Sequence, residues 1–364
     1  EQNEVGGIGI TRLSGGSKIK PLITGSDFYM HPTWHPDGKM IAWVEWDHPY
    51  MPWDASRIKI GKFSRKQGTL TAISILDGQI DESANQPLFS PNGKWLSFIK
   101  RNGNWDDLIL YNLYSYEKKV VVHGNGFHLR MPDWVQGFHS YQWTQDSASI
   151  IFIKYHHGTS SLEKVNISTS IRESIDTQPY TWISQLSAFR VSDEIACIAS
   201  SQSDSGQILR VSNKNLFPVS ISRKMPHSNR SKGQEIVFPT KDGSDAYAWF
   251  YPPITPQKKG EIARCILNIH SGPTSVKHLG YSAETEIFTS QGFAVVYLNY
   301  HGSVTYGYDF QNALQRKWGE IEVQDSLCLI NHLTSRGLVD SKKIAVMGSS
   351  AGGFSVLHLL IQKP

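Results

Sequence analysis

The sequence predicts two units of different fold class, a repeated all-β unit before residue 230 and a unit of alternating strands and helices after it. Three observations indicate this division. A motif of an aromatic residue followed by a turn recurs in the first part at intervals of 55 and 54 residues. Nine of the 11 tryptophans precede residue 230. Residues 225–233 are polar and lack a hydrophobic period, which is typical of a linker.

The repeated motif reads WHPDGK at residues 34–39, FSPNGK at 89–94 and, more weakly, WTQDSA at 143–148. Asp-Gly and Asn-Gly accept the positive φ of a tight turn, and the flanking apolar and polar alternation suits a hairpin. Two further β-type segments follow each hairpin, for example residues 57–60 and 70–76. Four strands in each repeat of this length are typical of a propeller blade. The sequence therefore predicts a partial β-propeller of about four blades, with an ordinary β-sandwich as the alternative.

After residue 230, short apolar strands are predicted at residues 265–269, 293–298 and 343–347. They alternate with helical spans at residues 283–291 and 320–336. Alternating strands and helices imply a mainly parallel sheet with helices packed against it.

The sequence GSSAGG at residues 348–353 joins the last predicted strand to a helix-compatible segment. A GxSxG pentapeptide alone is a weak signal, but a strand before it and a helix after it are typical of a nucleophile elbow. The serine of an elbow lies in a sharp, strained turn that requires small neighbours. We therefore predict that Ser350 is the nucleophile of an incomplete α/β-hydrolase catalytic domain at residues 231–364, which follows propeller blades at residues 1–230.

A serine that attacks an acyl group needs hydrogen-bond donors for the oxyanion that develops on the substrate. The backbone N–H after the nucleophile supplies one of them, here from Ala351. The second donor usually comes from a loop after an earlier strand, and residues 266–273 have the pattern of such a strand and turn. A plain β-turn is the alternative interpretation of that segment.

The chain resembles the prolyl oligopeptidase family of serine peptidases, and within it the branch of acylaminoacyl peptidases and dipeptidyl-peptidase-like proteins. The matching stretches are residues 235–243, 270–274, 299–303 with 306–308, 318–319 with Asp325, and 348–353. Together with the propeller, the resemblance covers nearly the whole chain. It implies that Gly272 supplies the second oxyanion donor. Ser271 replaces the first glycine of the family's turn, and His301 stands where an arginine is usual.

The family places its catalytic Asp and His after the nucleophile, whereas this sequence ends at Pro364. The resemblance therefore implies that the Asp and His of the triad are not in this chain, and we expect a fragment truncated at both ends. Residues 8–13 and 18–23 have the pattern of the outer strands of one further blade. Two histidines that do lie in this chain, His270 and His358, are predicted to be structural.

The function that the resemblance implies is a serine peptidase that hydrolyses short peptides through an acyl-enzyme, with the propeller restricting substrate size. Two alternatives stay open. An esterase or other acyl hydrolase would use the same elbow and oxyanion donors, and a non-catalytic interaction protein could be built on the propeller. Short peptides are the expected partners, and a homo-oligomer is left open.

The composition excludes several other classes of function. The net charge is only +4, so neither nucleic acid nor an anionic membrane is an expected partner, and no apolar run is long enough for a membrane span. Neither a metal-ligand spacing nor a phosphate-binding loop is present, so no metal and no cofactor are expected. Cys197, Cys265 and Cys328 lie in separate apolar runs and are interpreted as buried hydrophobic residues, which favours a cytoplasmic location.

Overall fold

A computed structural model describes residues 6–11, 18–189, 191–212, 214–219, 230–255 and 260–363. Three segments named above lie at least in part outside the described residues. They are most of the predicted linker, the end of the first predicted strand at Leu13, and Pro364.

Short antiparallel strands make up the described chain before residue 230, together with the short helix α1 (Pro52–Ala55). The strands are β1 (Ile8–Ile10), β2 (Lys20–Ile23), β3 (Phe28–Trp34), β4 (Met40–Trp46), β5 (Arg57–Ser64), β6 (Thr69–Asp77), β7 (Ala84–Phe89), β8 (Trp95–Asn102), β9 (Trp105–Asn112), β10 (Lys118–His123), β11 (Tyr141–Trp143), β12 (Ser149–His156), β13 (Thr159–Asn166), β14 (Arg172–Ile175), β15 (Trp182–Ala188), β16 (Ile195–Ser200), β17 (Gln207–Ser212) and β18 (Asn215–Pro218).

These strands form four-stranded antiparallel sheets in which consecutive strands are neighbours. The sheets are β3–β6, β7–β10, β11–β14 and β15–β18, and β1 pairs with β2 in a separate two-stranded sheet. A meander of four strands per sheet is the arrangement of a propeller blade, so this region is consistent with the predicted propeller.

The repeated sequence motif forms the first hairpin turn of three successive sheets, as predicted. The hairpins are β3–β4, β7–β8 and β11–β12. The fifth residue of each motif has positive φ: 67° at Gly38, 69° at Gly93 and 59° at Ser147. The weaker third copy therefore keeps the turn, although it has lost the glycine that tolerates this backbone conformation most readily.

Neighbouring sheets bury apolar side chains against each other. Leu110 and Phe152 belong to a core cluster shared by sheets β7–β10 and β11–β14. Ile153 and Leu186 belong to a second cluster, shared by sheets β11–β14 and β15–β18. Full burial of such a side chain stabilises the fold by about 1.5–3 kcal/mol, so the contacts between sheets hold this region together.

The part of the chain after residue 230 contains both strands and helices. They are β19 (Gln234–Pro239), β20 (Asp245–Tyr251), β21 (Arg264–Ile269), α2 (Ala283–Ser290), β22 (Phe293–Asn299), α3 (Tyr308–Asn312), α4 (Ile321–Ser335), β23 (Ile344–Gly348) and α5 (Ala351–Gln362).

The five strands form one mixed sheet in the order β19-β20-β22-β21-β23. The three strands that the sequence predicted, β21, β22 and β23, pair in parallel as expected. The pairs β19–β20 and β20–β22 are antiparallel, so the prediction of a mainly parallel sheet holds only for those three strands. For β19–β20 the reason is that a tight turn containing Gly243, with φ of 87°, joins the two strands, and parallel pairing requires a much longer connection.

Helix α4 covers this sheet with a face that is only partly apolar. Leu329 and Leu333 are buried on that face, but so are the polar residues Glu322 and Ser326. Cys328, on the same helix, is only half-buried, which corrects the prediction that all three cysteines are buried. None of the helices in the described residues has the length and apolarity that a membrane crossing requires.

The two parts of the chain meet in a buried ionic cluster. The Asp106 carboxylate of β9 accepts a hydrogen bond from the Tyr308 hydroxyl (2.8 Å) and forms an ion pair with Arg130 (3.3 Å). His128 Nε2 accepts from the N–H of Gly307 (3.1 Å). Burial opposes ionisation of Asp106, but the hydrogen bond from His128 and the charge of Arg130 outweigh it and lower its pKa to about 2. The cluster fixes the loop between β22 and α3 against the all-β part.

Candidate active site

Strand β23 leads directly into helix α5, and Ser350 lies at the junction between them. Ser350 is the N-cap residue of α5 and has φ 50° and ψ −121°. A non-glycine residue in such a sparsely populated region is strained by about 1–3 kcal/mol, and strained residues of this kind cluster at active sites. The sharp strand-to-helix turn that the sequence predicted is therefore present at Ser350.

Gly348 and Gly352 explain why small residues flank Ser350. A Cβ on Gly348 would lie 2.5 Å from the backbone of Gly352. A Cβ on Gly352 would overlap the carbonyl oxygen of Ile269, at the end of β21. Both partners are backbone atoms, so no side-chain rotation relieves the overlap. Glycine at these positions allows β21, β23 and α5 to approach closely around the serine.

The turn after β21 emerges beside Ser350. Ile269 pairs with Gly348 in the parallel ladder, so residues 270–273 and Ser350 lie at the same carboxyl edge of the sheet. Gly272 has φ 142°, a conformation that L side chains rarely adopt. Its N–H makes no hydrogen bond to any residue that the structure describes. The Ala351 N–H, at the first position of α5, has no partner within its own helix.

Ser271 is accommodated in this turn, because it is not among the described residues with positive φ. Its carbonyl oxygen accepts a hydrogen bond from His270 Nδ1 at 2.9 Å. The other ring nitrogen of His270 contacts the Ser303 hydroxyl at 2.8 Å. Burial lowers the pKa of His270 to about 4, so the ring is neutral at physiological pH. Both nitrogens are engaged in holding the turn, which leaves His270 no free lone pair for Ser350.

Tyr300, the residue directly after β22, supports the same turn. Its ring stacks on His270 with centroids 4.3 Å apart. Its hydroxyl lies 3.2 Å from the carbonyl oxygens of both His270 and Pro273. These contacts hold the backbone around Gly272 in a fixed shape, as preorganised oxyanion donors require.

His301 forms a Ser–His–Asp array with Ser244 and Asp325 and not with Ser350. Its Nδ1 donates to Asp325 (2.9 Å), and its Nε2 lies 3.0 Å from the Ser244 hydroxyl. The hydroxyl of Ser244, however, donates its single proton to the Asp242 carboxylate at 2.6 Å. A carboxylate only accepts, so this proton is not directed at His301 and the array lacks an activated nucleophile. His301, which stands where the family usually has an arginine, therefore links the loop after β22 to α4 and to the β19–β20 turn.

His358 lies eight residues beyond Ser350 on α5. A helical rise of about 1.5 Å per residue separates their Cα atoms by about 12 Å along the helix axis. The His358 ring contacts Phe354, with centroids 4.3 Å apart. This is not the position of a general base for Ser350.

Glu322, which no sequence pattern singled out, reaches the elbow helix from α4. The buried carboxylate accepts hydrogen bonds from the Gly319 N–H (2.7 Å) and the Ser355 hydroxyl (2.9 Å). Ser355 lies one turn beyond Ser350, so Glu322 ties α4 to the start of α5. A glutamate in an amphipathic helix usually faces solvent, and no sequence signal marked this one.

Comparison with known proteins identifies the relatives of this site. Residues 279–364 match the model of the prolyl oligopeptidase family. Acylamino-acid-releasing enzyme 2 of Oryza sativa subsp. japonica is 38% identical over 99 residues, which are 27% of this chain and 13% of that enzyme. Dipeptidyl-peptidase 5 of Porphyromonas gingivalis is 22% identical over 355 residues, which are 94% of this chain and 49% of that enzyme. The resemblance to the prolyl oligopeptidase family is confirmed.

The fold of the chain is also similar to that of solved structures. A puromycin-hydrolysing peptidase of Mycobacterium tuberculosis superposes with a TM-score of 0.88 and 25% identity, over 95% of this chain and 52% of that one. The chain spans about half the length of the relatives that it matches throughout. The names of these relatives are those of an acylamino-acid-releasing enzyme, a dipeptidyl-peptidase and a puromycin-hydrolysing peptidase. The number of blades and the α/β-hydrolase assignment stay predictions.

Within the described ranges, no three His, Cys, Asp or Glu side chains form a cluster that could hold a metal ion. The carboxyl edge of the sheet carries the Ser350 hydroxyl in a strained turn, and the N–H groups of Ala351 and Gly272 lie in the adjoining segments.

Proposed function

We propose that this protein is a serine peptidase that hydrolyses short peptides through an acyl-enzyme, with Ser350 as its nucleophile. The observation that carries the proposal is the strained junction at Ser350, which lies beside a turn whose Gly272 N–H has no partner in the described structure. Under this proposal, residues 231–364 form the catalytic domain and residues 1–230 form the propeller.

The proposed chemistry follows from these groups. Ser350 Oγ attacks the peptide carbonyl carbon while a base takes its proton, and the carbonyl π electrons move onto oxygen. The N–H groups of Ala351 and Gly272 donate hydrogen bonds to that oxyanion. Collapse of the oxyanion breaks the C–N bond, and the base returns the proton to the leaving amine. Water then hydrolyses the acyl-enzyme by the same steps.

The base and the Asp that orients it are proposed to come from outside this chain. The contacts of three histidines within this chain support this part of the proposal. His270 is engaged at both ring nitrogens, His358 is two turns away on α5, and His301 belongs to a separate array.

The propeller is proposed to restrict access to Ser350. Trp134 donates a hydrogen bond to the Thr274 carbonyl (3.3 Å), two residues beyond Gly272. The all-β part therefore covers one side of the turn that would bind the oxyanion. A folded protein would collide with this cover, whereas a short flexible peptide could pass it.

Ser350→Ala, made in the protein expressed from its complete reading frame, tests the proposal. We expect peptide hydrolysis to fall by several orders of magnitude with the fold intact, because the covalent step is lost. Ser349→Ala is the matched control, since it removes a neighbouring hydroxyl and should retain activity. Steady-state rates on short peptides and labelling by a fluorophosphonate are the measurements.

Three outcomes separate the proposal from its alternatives. Wild-type-like turnover by Ser350→Ala would exclude Ser350 as the nucleophile. Hydrolysis of acyl esters without hydrolysis of any peptide would identify an esterase. Absence of both hydrolysis and fluorophosphonate labelling in the folded wild type would favour a non-catalytic interaction protein.

A further inference from the structure

A cavity of about 310 Å³ lies between the all-β part and the turn after β21. Its walls are mostly aromatic and aliphatic. The side chains that matter here are Met51, Trp53 and Trp134 from the all-β part, and Pro273, Leu314 and Trp318 from the α/β part.

The cavity adjoins both halves of the proposed catalytic apparatus. Pro273 directly follows Gly272, the proposed oxyanion donor. Trp318 contacts Phe354, on the first turn of α5 after Ser350, with ring centroids 5.0 Å apart. A peptide whose carbonyl lies against Ser350 and Gly272 would therefore have a neighbouring side chain within reach of this cavity.

One wall is carried by the loop between β10 and β11, residues 124–140, which we call the Trp134 loop. Gln136 of this loop accepts a hydrogen bond from the His31 N–H (3.1 Å) and donates to the Tyr29 carbonyl (2.8 Å). Its Gly137 carbonyl accepts from Gln185 at 3.0 Å. The loop is thus tied to the first strands of two other sheets.

A further contact ties the Trp134 loop to β7, the first strand of the sheet β7–β10 that precedes the loop. The Ser140 N–H donates to Gln86 Oε1 at 2.9 Å. Gln86, His31 and Gln185 all have positive φ, between 52° and 55°, in the first strands of three sheets. These bulged positions hold the Trp134 loop, so the loop presents a preformed wall.

Trp134 itself bridges the two parts of the chain. Its ring packs on Trp53 with centroids 4.6 Å apart, and its Nε1 donates to the Thr274 carbonyl. About half of the Trp134 surface is exposed (52%), although tryptophan is a large apolar residue. Its contacts orient an indole face beside the oxyanion turn.

The charge of the residues that line the cavity limits which substrate side chains can bind there. Among the described residues that line it, Asp54 is the one with a charged side chain. Its carboxylate contacts the Met51 N–H at the start of α1, at 3.4 Å. An acidic side chain would be repelled, and an uncharged bulky side chain would bury apolar surface against the tryptophans.

We propose that this cavity is the subsite that selects a bulky apolar side chain of the peptide next to the scissile bond, with Trp134 as its specificity-determining residue. The proposal rests on the proposed peptidase function. It assigns to the all-β part a direct role in substrate choice, beyond excluding folded proteins.

The test uses the protein from its complete reading frame and peptides varied at the residue on either side of the scissile bond. Phe, Leu, Ala, Glu and Arg are placed at each position in turn. Trp134→Ala and Trp134→Phe are compared with Val135→Ala, a control at the adjacent exposed position. Trp134→Phe keeps an aromatic wall but removes the hydrogen bond to Thr274.

For wild type, we expect a preference for Phe or Leu over Ala at one position. Trp134→Ala should reduce this ratio of kcat/KM by about 10-fold or more, Trp134→Phe should largely keep it, and Val135→Ala should leave it unchanged. A ratio that survives Trp134→Ala, an equal loss for all peptides, or a preference for Glu or Arg would overturn the subsite. Failure of the peptidase proposal is recognised separately, because the wild type would then cleave none of the peptides.

Discussion

The hairpin turns of the propeller-like sheets and the elbow at Ser350 both need unusual backbone angles, but for different reasons. A Cβ on Gly38 would meet the end of the flexible Arg65 side chain, and the equivalent position of the third repeat is already a serine. A Cβ on Gly352 would meet the backbone of β21 instead. The residue type in the hairpin turns is thus limited by the positive φ of the turn itself. In the elbow it is limited by the close approach of β21, β23 and α5. Substitutions should therefore be far more costly at the elbow.

Gly352→Ala should have the largest effect. The added methyl group has no room against the β21 backbone, and overpacking of this kind should cost about 3 kcal/mol or more and abolish peptide hydrolysis. Gly353→Ala is the matched control, because its Cβ would lie 3.4 Å from the nearest atom, the Gly348 carbonyl oxygen. Chemical denaturation and peptide hydrolysis measure both variants. Equal stability of the two variants would show that the close approach at Gly352 is not a constraint.

Gly272→Pro should lower kcat by about 10²–10³-fold, because it removes the proposed oxyanion donor, and a donor of this kind is worth about 2.7–4 kcal/mol. Proline also conflicts with the φ of 142° at this position. Gly272→Ala shares that conflict but keeps the N–H, so the difference in kcat between the two variants isolates the donor. If both variants lose the same activity while remaining folded, the N–H of Gly272 is not the second donor.

The contact between the two regions should be sensitive to acid. The pKa of Asp106, about 2, lies below the ordinary value of 3.8, so the ionised carboxyl contributes stability above pH 4. That contribution is lost as the pH falls from 4 towards 2. Tyr308→Phe removes a hydrogen bond to this carboxylate and should cost about 1.5–3 kcal/mol at pH 7.

Denaturation at pH 7, 4, 3 and 2 checks this prediction. The loss of unfolding free energy caused by Tyr308→Phe should shrink as Asp106 becomes protonated. The wild type then also lacks the hydrogen bond from Tyr308 to a charged carboxylate, so the two proteins differ less. A penalty that is the same at all four pH values would mean that Asp106 does not carry the charge at this contact.

Gly38→Ala should have the smallest effect, about 1–2 kcal/mol, which is the cost of a left-handed backbone for a residue with a Cβ. Gly68→Ala is its control, since that glycine has the same φ of 67° and nothing within 4 Å of its added Cβ. We expect similar losses of unfolding free energy for the two variants. A much larger loss for Gly38→Ala would show that Arg65 cannot move aside.

The repeats were predictable because hairpins are local. Residues 34–39 and 89–94 contain the turn residues and the flanking alternation within one short segment, so the sequence indicated the hairpins without any knowledge of packing. The same locality made the elbow at Ser350 predictable, since strand, small residues and helix follow one another along the chain. Whether Ser350, Ala351 and Gly272 act as assigned stays a prediction.

The aromatic cavity was not predictable in this way. Trp53, Trp134 and Trp318 lie far apart in the sequence, and a tryptophan count indicates only that a region is rich in aromatic residues. Their meeting depends on how the Trp134 loop is tied to three sheets and on how the α/β part packs against it. Glu322 was missed for a related reason, because its burial depends on partners from a neighbouring loop and helix.

The sequence by itself determined the repeat of four-stranded sheets, the parallel strands around the elbow and the resemblance to the prolyl oligopeptidase family. Each of these depends on the order of residues within short segments, where local backbone preferences decide the structure. The tertiary structure alone decided that β19 and β20 extend the sheet in antiparallel fashion, that His301 pairs with Asp325, and that Trp134 reaches the turn after β21. Those features are contacts between residues distant in the chain, and only the packing of complete elements brings such residues together.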